Sequence, residues 1–131
     1  YIATQLAAGT TGALIAVNIL VPEGNVEALV LETGPAFAAE LLFTFALAYV
    51  ILNVATSETT EGNGFYGAAI ALVVLAGALS VGSISGASFN PAVTVAMIAS
   101  DALSVEDSWI HFVPQLAGGC LAALAFKAQR L

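Results

Sequence analysis

The chain has 131 residues, of which 60% are hydrophobic and only 8% are charged, with nine acidic and two basic side chains. A soluble globular domain carries about 25% charged residues, so this composition excludes an ordinary water-soluble domain and a disordered chain. Two basic residues are too few for a nucleic-acid binder, and a single cysteine, Cys120, excludes a secreted disulfide scaffold. The composition predicts an integral membrane protein in contact with lipid, with room for four helices of about 20 residues each.

The chain opens directly in an uncharged apolar stretch, Ile2 to Val21. No basic leader or cleavage site precedes this stretch, so we interpret it as a first membrane span rather than a signal peptide. Because the chain starts at Tyr1 and not at methionine, we expect it to be a piece of a longer protein.

Three further apolar runs follow a polar loop, 22–34, that contains three glutamates. We predict spans over these runs: 35–55, 65–82 and 109–126. The segment 56–64 (TSETTEGNG) is a polar, turn-rich loop. One ionisable residue, Glu40, lies inside the run 35–55. A carboxylate at that depth is costly and needs partners, and the alternative is a glutamate near the interface that reaches to water.

The segment 83–99 differs from these spans because Gly86 and the pair Asn90-Pro91 interrupt it. Asparagine is a favoured helix N-cap and proline a favoured first helical residue. We therefore predict a half-helix about 15 Å long that starts after Asn90 and follows a non-helical lead-in, Ser83 to Phe89. Non-helical backbone at membrane depth is tolerated only inside protein or beside a water-filled cavity, which predicts a re-entrant segment. The alternative is a surface loop followed by an interfacial helix.

Both basic residues, Lys127 and Arg130, follow the last span, so the C-terminus is predicted to face the cytoplasm. Four full spans then place the start of the chain on the same side. A re-entrant segment enters and leaves on one side and does not change this count. The loops 22–34 and 101–107 are therefore predicted to lie on the outer face.

The first and last spans resemble each other in sequence. At an offset of 110 residues, Gln5-Leu6-Ala7 matches Gln115-Leu116-Ala117, and the alternative is a coincidence between two helices rich in small residues. If the repeat is real, it divides the chain as follows: residues 1–21 are the last helix of a first repeat, 22–34 are an outer loop, and 35–131 are the second repeat. About 89 residues of the first repeat would then be missing. Successive three-span units have opposite topology, as in many inverted-repeat transport proteins.

The segment Ser85–Val93 (SGASFNPAV), with AELLFTF before it and WIHFVPQLAGG after it, resembles the aquaporin and glycerol-facilitator family, the major intrinsic proteins. The resemblance covers essentially the whole chain and implies an all-α transmembrane inverted-repeat bundle. The chain corresponds to helices three to six: four spanning helices and one re-entrant Asn-Pro-Ala half-helix. The resemblance implies a channel for water or small neutral solutes such as glycerol, urea or gases, assembled as a homotetramer.

The resemblance also assigns roles to individual residues. It makes Asn90, Pro91 and Ala92 the pore motif, places the carbonyls of Gly86, Ala87 and Ser88 along the pore, and makes Glu40 a brace for the re-entrant loop. The family's selectivity filter falls on Ala78, Ala87 and Val93. Members usually have an arginine where Val93 stands. Without that charge, exclusion of cations depends more on the half-helix dipole, and we expect a wider, less water-selective pore.

One half-helix alone cannot enclose the usual pore, so the alternative function is a non-conducting structural subunit of aquaporin-like fold within a larger membrane complex. An ion-coupled transporter would need charges inside the membrane, and Glu40 is the only candidate. The sequence has no nucleophile–base pair, phosphate loop or metal-ligand cluster, so we expect no enzyme, cofactor or metal site.

His111 is expected near an interface. The small-residue pairs are expected to let helices pack closely: Gly82 with Gly86, and Gly118 with Ala122.

Overall fold

The computed structural model describes residues 1–21 and 26–129, and this part of the chain contains helices and no strands. The α-helices in chain order are α1 (Ile2–Ile15), α2 (Thr33–Ala55), α3 (Tyr66–Ser85), α4 (Pro91–Ala99) and α5 (Trp109–Ala128). A π-helical turn, Ala16–Leu20, continues α1, and a short 3-10 helix, Glu58–Thr60, lies between α2 and α3. The predicted all-α fold is confirmed.

Among the described residues, four helices are long and apolar enough to cross a bilayer: Ile2–Leu20, Thr33–Ala55, Tyr66–Ser85 and Trp109–Ala128. Much of their outer surface is exposed and apolar, as in Leu79 of α3, which is 81% exposed. In a folded protein such surfaces must face lipid or another protein. The short helix α4 has nine residues and spans about 14 Å, which is half a bilayer.

The helices α2 and α5 run in the same direction. Near their starts, the rings of Phe37 and Trp109 lie 6.5 Å apart, and near their ends the Gln129 amide donates to Asn53 at 2.7 Å. Helix α3 follows α2 in the chain and runs in the opposite direction, since Asn63 before its start bonds to Val54 near the end of α2 and Ser85 at its end bonds to Glu40. The segment 86–108 therefore returns to the side from which it entered. This segment also penetrates the bundle, since α4 packs against the middle of α1, where a Cβ atom on Gly9 would lie 2.9 Å from the Ala92 carbonyl. A helix lying on the membrane surface does not fit these contacts.

Two predicted helix ends differ from the structure. Helix α2 begins at Thr33 rather than at residue 35, because Pro35 occupies the third helical position, where a missing N–H needs no partner. Helix α3 continues to Ser85, so the predicted non-helical lead-in is wrong for residues 83–85. It stops at Gly86, whose φ of 79° is left-handed, a conformation that glycine commonly supplies directly after a helix.

The small-residue pairs behave differently from each other. A Cβ atom on Gly118 would lie 2.7 Å from the Leu41 carbonyl, and Ala122 is fully buried one turn later, so close packing of α5 on α2 is confirmed. An added Cβ on Gly82 would meet nothing within 4 Å in the described residues. The predicted packing role of Gly82, which lies one turn before the helix stop at Gly86, therefore stays a prediction.

The two predicted outer loops meet at the same end of the bundle. The Leu29 amide donates to the Ala102 carbonyl at 3.0 Å, so the loops share one side, as the span count requires. Residues 22–25 of the first loop and Arg130, one of the two cations behind the predicted orientation, lie outside the described residues.

Candidate functional site

The loop 86–90 joins α3 to α4 through an unusual backbone. Gly86, Ala87 and Phe89 have φ angles of 79°, 53° and 52°. The left-handed conformation costs roughly 1–2 kcal/mol for a residue with a Cβ atom. Ala87 and Phe89 therefore need stabilising contacts from the surrounding helices to hold this shape.

The carboxylate of Glu40 on α2 supplies the first of these contacts. It is fully buried and accepts hydrogen bonds from the Ser88 amide at 3.0 Å, the Phe89 amide at 2.8 Å and the Ser85 hydroxyl at 2.7 Å. The expected contacts between Glu40 and the re-entrant loop are therefore present. Because the Glu40 side chain is fully buried, the alternative interpretation, a glutamate that reaches to water, does not apply.

A second polar residue, Gln115 on α5, reaches the same point. Its Nε2 atom lies 2.8 Å from Glu40 Oε2, 2.9 Å from Thr94 Oγ1 and 3.2 Å from Ser88 Oγ, and the two hydroxyls are 2.7 Å apart. Gln115 is 2% exposed and Thr94 is fully buried. One amide group thus connects α2, the loop and the half-helix α4.

His111 lies one turn before Gln115 and is fully buried inside the protein, while its expected place near a membrane interface stays a prediction. The first turn of α5 enters the bundle core, where the neighbouring Ile110 is also only 2% exposed. His111 Nε2 lies 2.7 Å from the Ser85 carbonyl oxygen. Because a carbonyl only accepts, Nε2 carries the hydrogen, and Nδ1 has no hydrogen-bond partner in the described residues.

Phe89 anchors the loop on its apolar side. Its ring is 3% exposed and stacks on Phe43 with centroids 5.2 Å apart. Gly77 of α3 provides the space, since an added Cβ there would collide with the Phe89 ring and lie 2.8 Å from Phe43 Cδ1. The loop is thus held by polar contacts from α2 and α5 and by an aromatic contact that needs a glycine on α3.

The backbone amides of residues 87–89 all donate hydrogen bonds inside the protein, whereas neighbouring carbonyl groups accept none from the described residues. The Ala87 amide donates to the Ser85 hydroxyl at 3.1 Å, and the next two amides donate to Glu40. Within residues 1–21 and 26–129, the carbonyl oxygens of Gly86, Ala87 and Ser88 accept no hydrogen bond. The loop therefore presents a short row of unused carbonyl acceptors.

Asn90 caps α4 as predicted, and the cap leaves its amide group available. Its Oδ1 atom accepts from the Ala92 amide at 2.9 Å, which fixes oxygen and nitrogen in the side chain. Its Nδ2 atom donates to no group in the described part of the chain. Asn90 also lines a cavity of about 300 Å³ between α1, α4 and α5. Gln5, Leu6, Pro91, Ala92 and Leu116 are among the other residues that line it.

The three predicted filter positions lie on three different elements. Ala78 is exposed on α3, Ala87 is half-buried in the loop, and Val93 is 43% exposed in the first turn of α4. None of the three is buried in the bundle core, and none carries a charge.

Sequence reasoning missed four residues that shape this site: Gly77, Phe89, His111 and Gln115. The last two had a usable signal, because two polar residues four apart in an apolar span share one helix face. No local signal points to Phe89 or Gly77, since their complementarity exists only once α3 and the loop have folded together.

Comparison with known proteins gives a consistent result. The family model for "Major intrinsic protein" matches residues 1–126. The chain is 36% identical over 93 residues to Glycerol uptake facilitator protein-like 6 of Lactiplantibacillus plantarum, which covers 70% of the chain and 42% of the relative. It is 40% identical over 93 residues to Aquaporin Z of Photorhabdus laumondii, covering 66% of the chain and 39% of the relative. It is 30% identical over 132 residues to Aquaporin TIP4-4 of Zea mays, covering 96% and 51%.

The chain spans about half or less of the length of these relatives. No solved structure gives a significant match. The matched family consists of channels and not of enzymes. With a family match over nearly its whole length and four helices able to span a bilayer, the chain belongs to the major intrinsic protein family of multi-pass membrane proteins.

Proposed function

We propose that the intact protein is a channel for the passive passage of water and small neutral solutes such as glycerol, urea or dissolved gases. The observation that carries this proposal is the division of hydrogen-bonding groups in the loop 86–90. The backbone amides of residues 86–89 donate inside the protein, whereas three carbonyl oxygens and the Asn90 side-chain amide group have no partner in the described residues. Relatives named as aquaporins and as a glycerol uptake facilitator support the same function.

In this proposal the free carbonyls of Gly86, Ala87 and Ser88 accept hydrogen bonds from water or from a solute hydroxyl as it passes. Asn90 donates to the oxygen of a water at the start of α4, so that this water accepts rather than relays a proton. The N-terminus of α4 lies at the same point, and its positive dipole end opposes the passage of cations. Nothing in this path requires a metal or a cofactor.

The filter positions Ala78, Ala87 and Val93 suit a pore that admits solutes larger than water. Their side chains are small and uncharged, so they neither narrow the path with a long side chain nor hold a solute by charge. The opposing wall of the pore is supplied by the rest of the intact protein. The proposal includes a homotetramer with one pore per subunit, and a C-terminus, beyond Lys127, that faces the cytoplasm.

The solute range is tested by stopped-flow light scattering on proteoliposomes that contain the intact protein. We expect glycerol and urea to enter faster than into protein-free liposomes of the same lipid, with an acceleration at least equal to that for water. Acceleration of water alone would contradict the proposed wide filter. No acceleration for any of the three would contradict a channel and favour a non-conducting structural subunit.

A further inference from the structure

We propose that Gln115 on α5 is a positioning residue that sets the solute selectivity of the pore by fixing the loop and the half-helix at one spacing. The inference rests on the proposed function and adds a second helix to the support that Glu40 provides from α2. It starts from the placement of the Gln115 amide between the Glu40 carboxylate and the hydroxyls of Ser88 and Thr94.

The first step concerns the number of hydrogen bonds that the Glu40 carboxylate accepts. Its Oε2 atom accepts hydrogen bonds from the Phe89 amide at 2.8 Å and from Gln115 Nε2 at 2.8 Å. Its Oε1 atom accepts hydrogen bonds from the Ser85 hydroxyl and the Ser88 amide. Glu40 is fully buried, so water does not replace a lost donor. Without Gln115, Oε2 would keep a single hydrogen-bond partner in a buried site. Each hydrogen bond to a charged group contributes more to stability there than a bond between neutral groups does.

The second step concerns the two hydroxyls. Ser88 belongs to the loop and Thr94 to α4, and their oxygens lie 2.7 Å apart. Gln115 contacts both, and Thr94 Oγ1 also lies 3.3 Å from Gln115 Oε1. The amide therefore locks the loop and the half-helix together at one point.

The third step links this point to the filter. Ala87 directly precedes Ser88, and Val93 directly precedes Thr94. The two filter positions carried by the re-entrant segment are thus each one residue from a hydroxyl that Gln115 holds. Because the amide fixes Ser88 relative to Thr94, it also fixes the separation between Ala87 and Val93, and this separation limits the width of the path.

His111 adds a second contact between α5 and the re-entrant segment, which supports the positioning role of α5. It lies one turn before Gln115 on the same helix face and donates to the Ser85 carbonyl at 2.7 Å. α5 therefore holds the re-entrant segment at the end of α3 through His111 and at the start of α4 through Gln115.

The test compares Gln115→Leu with Thr94→Val in the intact protein. Leucine keeps the size of the side chain but removes every donor, and valine removes only the Thr94 hydroxyl. We expect both variants to raise the ratio of glycerol to water permeability by about threefold or more, a change on the scale of one lost hydrogen bond. The double variant should add little to either single change, because both act through the same contact.

Hydrogen exchange of the reconstituted protein, measured by mass spectrometry, tests the positioning role without relying on conduction. In Gln115→Leu, the peptide that covers residues 86–90 should exchange faster than in the parent, while peptides from α2 and α3 stay unchanged. Asn18→Leu is the matched control. Its exposed amide donates to the Leu14 carbonyl of its own helix at 2.9 Å and to no other described residue, so the substitution should change neither exchange nor the permeability ratio.

Unchanged exchange at residues 86–90, or an equal rise along α2 and α5, would overturn the positioning role. Faster local exchange with an unchanged permeability ratio, in a protein that conducts both solutes, would overturn the selectivity role. A parent protein that conducts neither water nor glycerol would overturn the proposed function and with it the selectivity role, whereas the exchange data would still decide whether Gln115 positions the loop.

Discussion

Replacing Glu40 with leucine is expected to abolish permeation and to destabilise the folded protein by about 4 kcal/mol or more, because each buried donor left without an acceptor costs roughly 1–3 kcal/mol. Four donors converge on this carboxylate: the Ser85 hydroxyl, the Ser88 and Phe89 amides, and the Gln115 amide. The left-handed backbone of the loop would also lose the contacts that offset its strain. Thermal unfolding in detergent and water permeability in proteoliposomes measure the two effects.

Glu40→Gln is the matched control for this substitution. Glutamine keeps the shape of the side chain and one acceptor oxygen, but it replaces the other oxygen with a donor that faces other donors. We expect an intermediate loss of stability and a measurable residual permeability. A Glu40→Leu protein that unfolds at the parent temperature and conducts at the parent rate would show that Glu40 does not hold the loop.

Introducing an arginine at the filter is expected to produce the second large effect. Val93 is 43% exposed at the start of α4, so a guanidinium has room to extend into the proposed path, where it adds a positive charge and five hydrogen-bond donors. Val93→Arg should lower glycerol permeability by about tenfold or more, which corresponds to about 1.4 kcal/mol in the barrier. Water permeability should fall much less, because water is smaller than the remaining opening.

Val93→Leu separates charge from size at this position. It adds bulk without a charge or a donor, and we expect it to reduce glycerol permeability only slightly. Both variants are measured by stopped-flow light scattering against the parent at equal protein density. Glycerol permeability that is unaffected by the arginine would place Val93 outside the solute path.

The sequence predicted those features of the fold that depend on local signals. The four spans follow from runs of apolar residues, and the start of α4 follows from the asparagine and proline at 90 and 91, whose preferences for the cap and for the first helical turn are intrinsic. Glu40 was predicted to have buried partners because a carboxylate inside an apolar span demands them. Each of these signals is contained in a few neighbouring residues.

The features that the sequence did not predict depend on contacts between distant residues. Gln115 meets Glu40 across 75 positions of the chain, and His111 meets the Ser85 carbonyl across 26. The helical state of residues 83–85 also depends on tertiary contacts, since the Ser85 hydroxyl and carbonyl are both satisfied by other helices. Composition places a polar residue in a span, but only the packing of α2 against α5 determines which polar residues meet.

The most direct test of a solute path beside the re-entrant segment is chemical modification of Ala87→Cys. The native thiol Cys120 is exposed, so it is first replaced by serine, and the Cys120→Ser protein without the new cysteine is the control. Treatment of proteoliposomes with a small, water-soluble thiol reagent should attach a group at residue 87 and reduce glycerol and water permeability to the level of protein-free liposomes. Complete labelling at residue 87 with unchanged permeability would contradict a path along residues 86–93.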